Sequence, residues 1–294
     1  MKNIFDTKNN TDLLDDNLVQ LAQSGSKEAL EALVRKHQEW IFNLASQMVG
    51  SPQDAEDATQ EILIKMITKL STFQGKSSFR TWLYRIVTNH ILNMRRSKWE
   101  RMFRSFEMHS RFQAALDNSE FDITQQYPVD AELLIDETKK LCLTGMLLCL
   151  DRQQRLALIL SVIFGVNSQV GSEIMEIRPE NYRQILSRTR KQLSSFMNEK
   201  CGLMNEANPC RCANKTRAAI KAGLVDPERL RFNRDSVQQA NRFVAENSEL
   251  VENALESKMQ NLFRQGAYQV SPDWGRFIIR LLQRKEVSQI INFS

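Results

Sequence analysis

Between Ser51 and Arg104 an acidic amphipathic segment runs directly into a basic one studded with aromatic residues. Two adjoining segments of this kind must bury both apolar stripes while presenting opposite charges side by side. Ser51 suits a helix N-cap, and Pro52 suits the first helical position, where its missing N–H costs nothing. Asp54 in the first turn complements the helix dipole. Ala55, Thr59, Ile62, Leu63, Met66 and Leu70 recur at helical spacing and predict a buried stripe. Asp54, Asp57 and Glu61 share the face opposite that stripe, with Glu56 and Gln60 to one side. Taken alone, such a face is a solvated surface. Its neighbour gives it weight, because a protein presenting both charges suits a basic protein partner and nucleic acid at once.

Gly75 ends the acidic segment, and Ser77 or Ser78 caps a second helix with Phe79, Trp82, Leu83, Ile86, Val87 and Met94 along its buried stripe. Arg85, Asn89 and Arg96 are expected on one outer face, and Arg80, Tyr84 and Arg95 on another. From Arg80 to Arg104 seven Lys and Arg residues stand against one acid, Glu100. Cations neutralise phosphates, Asn reads base edges, and aromatic rings stack on unpaired bases. Phe79 and Trp82 are better read as core than as stacking platforms. Arg85, Asn89, Arg95 and Arg96 lack the counter-charges a merely solvated face would carry.

The run Asp54-Ala-Glu-Asp-Ala-Thr-Gln-Glu61, then Phe79-Arg-Thr-Trp-Leu-Tyr-Arg-Ile with Asn89 and Asn93, resembles region 2 of the sigma-70 family, and most of all its extracytoplasmic-function group. The resemblance implies docking on the clamp of the largest subunit of core RNA polymerase through Asp54, Glu56, Asp57, Gln60 and Glu61. It implies capture of a flipped −10 promoter base by the loop that contains Gln74, Lys76 and Ser77. Flipping costs a few kcal/mol, so a snug pocket must offset it. Arg80, Arg85, Asn89, Asn93, Arg95 and Arg96 would contact the same promoter element.

The chain has 294 residues and a formal net charge of +5, room for two or three domains. With 10 Gly, 6 Pro and few alternating β-branched runs, it is expected to be all-α. No apolar run approaches the roughly 20 residues of a membrane span, and no signal peptide opens the chain, so a cytoplasmic protein without a membrane partner is expected. No phosphate loop, paired His and carboxylate or nucleophile elbow is present, so no enzyme and no cofactor are expected.

Residues 11–104 read as a helical first module. Residues 105–138 carry eight acids against Arg111 and read as a linker. It is either a spacer set by length or, as the resemblance implies, an acidic strand threading near the polymerase active site. Helical periodicity is expected to resume near Lys139. Within 139–200, Ser168–Met175 makes a short helix, Arg178-Pro179-Glu180 a turn, and Asn181–Leu193 a longer basic helix. Tyr182, Ile185, Leu186, Thr189 and Leu193 face inward, leaving Asn181, Arg183, Gln184, Ser187, Arg188 and Lys191 outside. Such a pair matches a helix-turn-helix whose second helix enters the major groove. The order of pieces also resembles sigma region 4, which implies reading of a −35 element. Glu180-Asn181 departs from the family's small-residue turn. A stand-alone helix-turn-helix regulator of duplex DNA is the alternative.

Minimal members of the family stop near residue 200, and residues 201–294, with Asn208-Pro-Cys-Arg-Cys212 and a helical tail, resemble the C-terminal extension of a longer subset. Cys201, Cys210 and Cys212 surround an Asn208-Pro209 turn. They are candidate metal ligands, but a tetrahedral site wants four, and neither a fourth Cys nor a His lies nearby in sequence. Thiols in a structural turn are the plainer expectation. Cys142 and Cys149 read as core. Amphipathic pattern continues through Phe243, Leu250, Val251, Leu255 and Leu262, and a helix start is expected at Ser271–Trp274. This tail simply stabilises the fold by packing, occupies the groove of another module, or binds a regulator such as an anti-sigma protein.

Overall fold

The computed structural model describes residues 11–116, 122–127, 131–228, 230, 259, 262–263 and 274. Among these the chain is all-α, with no strand. The expected helices around Phe243–Leu255 lie outside the described residues.

Four helices build the first module: α1 (Thr11–Gln23), α2 (Lys27–Val49), α3 (Pro52–Lys69) and α4 (Phe79–Asn93). Their starts are chemically marked. Ser26 Oγ accepts from Ala29 N at 3.1 Å, and Ser51 Oγ from Asp54 N at 3.3 Å. Ser78, rather than Ser77, caps α4, accepting from Thr81 N at 3.1 Å. Leu30, Leu33, Ile41, Leu44 and Met48 of α2 meet Ile62, Leu63 and Met66 of α3 and Phe79, Leu83, Val87 and Ile91 of α4 in one buried cluster. Each such side chain contributes about 1.5–3 kcal/mol on burial.

A polar node ties α1 to α2. Asp15, 1% exposed, receives Lys36 Nζ at 2.6 Å and His37 Nε2 at 3.2 Å. Trp40 Nε1 donates to His37 Nδ1 at 2.9 Å, so the His37 proton sits on Nε2 and points at Asp15. Burial pushes the His37 pKa down against the opposing pull of Asp15.

Two features differ from the sequence expectation. Helix α4 stops at Asn93, so Arg95 and Arg96 follow the helix instead of lining its faces. Tyr84 is not on an outer face: it is 1% exposed and stacks on Trp40 at 4.1 Å.

Helix α5 (Lys98–Met102) falls inside the expected first module, and the stretch expected to be a linker is partly helical, with α6 (Phe106–Ala115), α7 (Ile123–Gln126) and the start of α8 (Ala131–Leu148). Helix α8 therefore begins well before Lys139. Its first turns bury Ala131 and Leu134, and Leu134 packs with Ala219 and Val225 from far along the chain. That partner is invisible to local periodicity. Beyond α8 come α9 (Arg152–Leu158), a π-helical turn at Ile159–Ile163, α10 (Ser168–Met175), α11 (Pro179–Lys200) and α12 (Cys212–Lys221).

The two modules share a core. Leu156, Ile159, Leu160 and Phe164 join the α2–α4 cluster. A buried ionic hub reinforces the joint. Arg152 donates from Nε and Nη2 to Glu100 at 2.9 and 2.7 Å, and from Nη1 to the carbonyls of Ile91, Leu92 and Met94. Arg155 donates to Glu100 at 3.1 Å and to the carbonyls of Met48, Leu147, Leu148 and Leu150. These bonds close the C-terminal ends of α2, α4 and α8, whose last carbonyls have no partner within their own helix. From the tail, the Trp274 backbone N–H donates to Gln38 Oε1 at 3.0 Å.

Candidate nucleic-acid interface

Helices α3 and α4 pack side by side and leave an open groove of about 720 Å³ between their outer faces. Lys65, Lys69, Arg85, Asn89, Asn93 and Arg95 line it, with Trp82 as an apolar wall and Glu61 at its acidic edge. The Lys65 ammonium donates to His90 Nδ1 at 2.6 Å, while His90 Nε2 stands 3.8 Å from Glu61. Burial, and then the Lys65 charge, lower the His90 pKa. A neutral His90 thus joins the cationic wall to the acidic one.

On α3 the residues read as a protein-docking face are accessible. Glu56, Asp57 and Glu61 are exposed, and Asp54 and Gln60 are half-buried. The stripe opposite, from Ala55 to Leu70, is buried throughout. The loop before α4 exposes Gln74 and Lys76 and half-buries Ser77. Phe73, Phe79 and Trp82 cluster beneath it with ring centroids 5.4–5.7 Å apart. Phe79 is core, as expected, whereas Trp82 is only half-buried and reaches the groove wall.

The polar residues of α4 and of the turn after it divide into two sets. Asn89, Asn93, Arg95 and Arg96 are exposed. Arg80 is largely covered, its guanidinium 4.0 Å from Asp15. Arg85 Nε donates to the Glu173 carbonyl of α10 at 3.1 Å, and Thr88 Oγ1 donates to the Ile174 carbonyl at 3.4 Å. The second module therefore rests on one edge of the candidate interface.

Within that module α10 and α11 form the expected helical pair. Asn167 caps α10, Glu176 turns the chain with a φ of 55°, and Pro179 opens α11. Gly171 makes the close approach possible: a Cβ there would lie 2.4 Å from the Tyr182 ring. Tyr182 is fully buried and donates to the Ala157 carbonyl at 3.2 Å. Leu186, Thr189 and Leu193 are buried below it, while Asn181, Arg183, Gln184, Ser187, Arg188 and Lys191 are all exposed.

The sigma-70 region 2 family model matches residues 33–101, the stretch that holds the groove and both of its charged faces. The chain carries a sigma-70 region 2. It is 43% identical over 79 residues to the RNA polymerase sigma-H factor of Pseudomonas aeruginosa, covering 27% of this chain and 41% of that protein. It is 41% identical over 81 residues to the ECF RNA polymerase sigma-E factor of Escherichia coli K12, covering 28% of this chain and 42% of that one. The match thus spans less than half the length of these relatives. Among solved structures, that of CnrH in complex with the cytosolic domain of CnrY is similar at 20% identity and a TM-score of 0.44, covering 63% of this chain and 98% of that one. Over this stretch the chain is thus similar to the matching part of ECF sigma-E factors.

The cysteines are arranged differently from their sequence reading. Cys142 is not simply core: it lines the same cavity as Cys201, Cys210 and Cys212. His109, from a different helix, lines it too. Among the described residues no three metal-ligating side chains are already drawn into a coordinating arrangement. The Glu100, Arg152 and Arg155 hub and the Cys142–His109 pair carry no local sequence signal, since their partners lie tens of residues apart. Among the described helices none is long and apolar enough to cross a membrane.

Proposed function

We propose that this protein is an RNA polymerase sigma factor, a non-enzymatic cytoplasmic subunit that recruits core polymerase and opens promoter DNA. The observation that carries the reading is the region 2 groove, with an exposed acidic face on α3, exposed Asn89, Asn93 and Arg95 along its other side, and exposed Arg96 next in sequence. Asp54, Glu56, Asp57, Gln60 and Glu61 dock on the clamp of the largest polymerase subunit. Gln74, Lys76 and Ser77 hold a flipped −10 base, and the α4 side steers the melted strand through phosphate and base-edge contacts. Helix α11 reads the −35 major groove through Asn181, Arg183, Gln184, Ser187, Arg188 and Lys191.

In this reading Arg85 and Arg80 become available only when their present partners release them. Arg85 reaches DNA once α10 parts from α4. A regulator of the anti-sigma kind would act by holding that contact closed or by covering the α3 face.

The test is reconstituted run-off transcription with core polymerase, the full chain and a library of promoter fragments. Specific transcripts that require the chain support the reading. Failure to bind core, together with tight binding to duplex DNA alone, would replace it with a stand-alone helix-turn-helix regulator.

A further inference from the structure

Four of the five cysteines, distant in sequence, converge on one cavity of about 220 Å³. Cys142 comes from α8, Cys201 from the end of α11, and Cys210 and Cys212 from the turn that leads into α12. None of the five is in a disulfide. Cys142, Cys210, Cys212 and His109 also form part of the wall of an adjoining cavity of about 30 Å³.

The loop that presents three of these thiols is tightly built. A Cβ on Gly202 would lie 2.0 Å from the Cys210 carbonyl oxygen, so only glycine lets the two ends of the loop close. Asn208 Nδ2 donates to the carbonyls of Asn198 and Cys201 at 3.0 and 3.2 Å. Arg211 holds the carbonyls of Glu206, Asn208 and Cys210.

We propose that Cys142, Cys201, Cys210 and Cys212 bind a thiophilic divalent cation of the zinc class, drawn together around it as four thiolates. A structural zinc site is tetrahedral and takes four such ligands. Sequence alone supplies three, and the fold brings the fourth across from α8.

His109 supports the site without entering it. Its Nε2 stands 3.7 Å from Cys142 Sγ, while its buried Nδ1 has no hydrogen-bond partner. With its ring proton on Nε2, His109 would donate to the Cys142 thiolate. Lys139, Lys200 and Lys215 line the same cavity; Lys139 and Lys200 are paired with Asp136 and Glu199, whereas Lys215 Nζ donates to the carbonyls of Gln113 and Leu116 and brings positive charge to the wall. Loading the four thiols as thiolates would release protons.

The test uses the full chain, reduced and stripped with chelator, then titrated with Co²⁺ and separately with Zn²⁺. The expected result is a single ion per chain, with thiolate-to-cobalt charge transfer and the intense d–d bands of tetrahedral cobalt. Cys142→Ser should weaken binding by more than the roughly 10–100-fold that loss of an outer-shell partner costs, and His109→Ala by about that range. Cys149→Ser should leave binding unchanged, since its Sγ donates to the Gly145 carbonyl and it does not line the cavity. Helicity measured by circular dichroism shows that each variant is folded. Absence of binding by the reduced wild-type chain overturns the proposal without reference to any variant. Wild-type affinity in a folded Cys142→Ser variant overturns it equally, because the ion would then sit on the loop alone.

Discussion

Glu100 and Arg152 meet as a two-pronged pair, Oε2 to Nη2 at 2.7 Å and Oε1 to Nε at 2.9 Å, across the joint between the two modules. Arg155, 3% exposed at its side chain, shares the same carboxylate at 3.1 Å. The two guanidinium groups spread from Glu100 to the carbonyl ends of three helices. The second module is thus tied to region 2 through backbone atoms that neither module satisfies alone.

Glu100→Ala should destabilise the fold by roughly 3–5 kcal/mol, because it strands the buried Arg155 charge. Arg152→Ala should cost less, since Glu100 keeps Arg155. Urea unfolding followed by circular dichroism measures both. Equal costs would mean that Arg155 does not depend on Glu100.

The same carboxylate predicts a pH dependence. Burial alone would raise the Glu100 pKa, but hydrogen bonds from Arg152 and the Ser97 N–H, with the Arg155 charge, bring it below 4.5. A carboxyl depressed in the folded state contributes fully above its unfolded value and loses that contribution as pH falls through the folded one. Stability should therefore decline as pH drops below 4.5, with a shallower decline in Glu100→Gln. Identical slopes in thermal melts of the two proteins would remove Glu100 as the cause.

Reversing Asp57 and Glu61 to Lys should abolish binding to core polymerase while leaving helicity intact, because both side chains are exposed and neither supports the core. Co-elution with core polymerase reads this directly. Wild-type binding by the double variant would move the docking face elsewhere.

Arg188→Ala, on the exposed face of α11, should weaken binding to −35 promoter DNA by about 1–3 kcal/mol if it reads a base. If it only meets a phosphate, the salt slope should fall by about one instead, uniformly across sequences. Footprints unchanged at every salt concentration would exclude both roles.

Gly171→Ala should destabilise the helical pair by about 1–3 kcal/mol, because the new methyl meets the Tyr182 ring at 2.4 Å. Tyr182→Phe should cost about 1 kcal/mol through the lost bond to the Ala157 carbonyl. Combining Gly171→Ala with Tyr182→Leu should recover part of the loss. Additive costs would show that the ring is not what the methyl strikes.

Much of region 2 is legible along the chain. The stripe from Ala55 to Leu70 is buried, Ser51 caps α3, and the outer residues of α11 are outside. Helical period, caps and proline placement act within a few residues, so they can be read from neighbours. The misread parts share the opposite property. Tyr84 looked like a surface ring until Trp40 stacked on it, and α8 looked shorter until Leu134 found Ala219.

By itself the sequence determined the helical class, the helix starts, the opposed charges of α3 and α4, and the exposed basic face of α11. These follow from local spacing and side-chain chemistry. Only the tertiary structure decided that Arg85 is held by a carbonyl of α10, that Glu100 joins two modules, and that Cys142 faces three thiols from beyond α11. Each of those depends on packing between segments far apart in the chain, where the partner's identity is set by the whole core and by no local pattern.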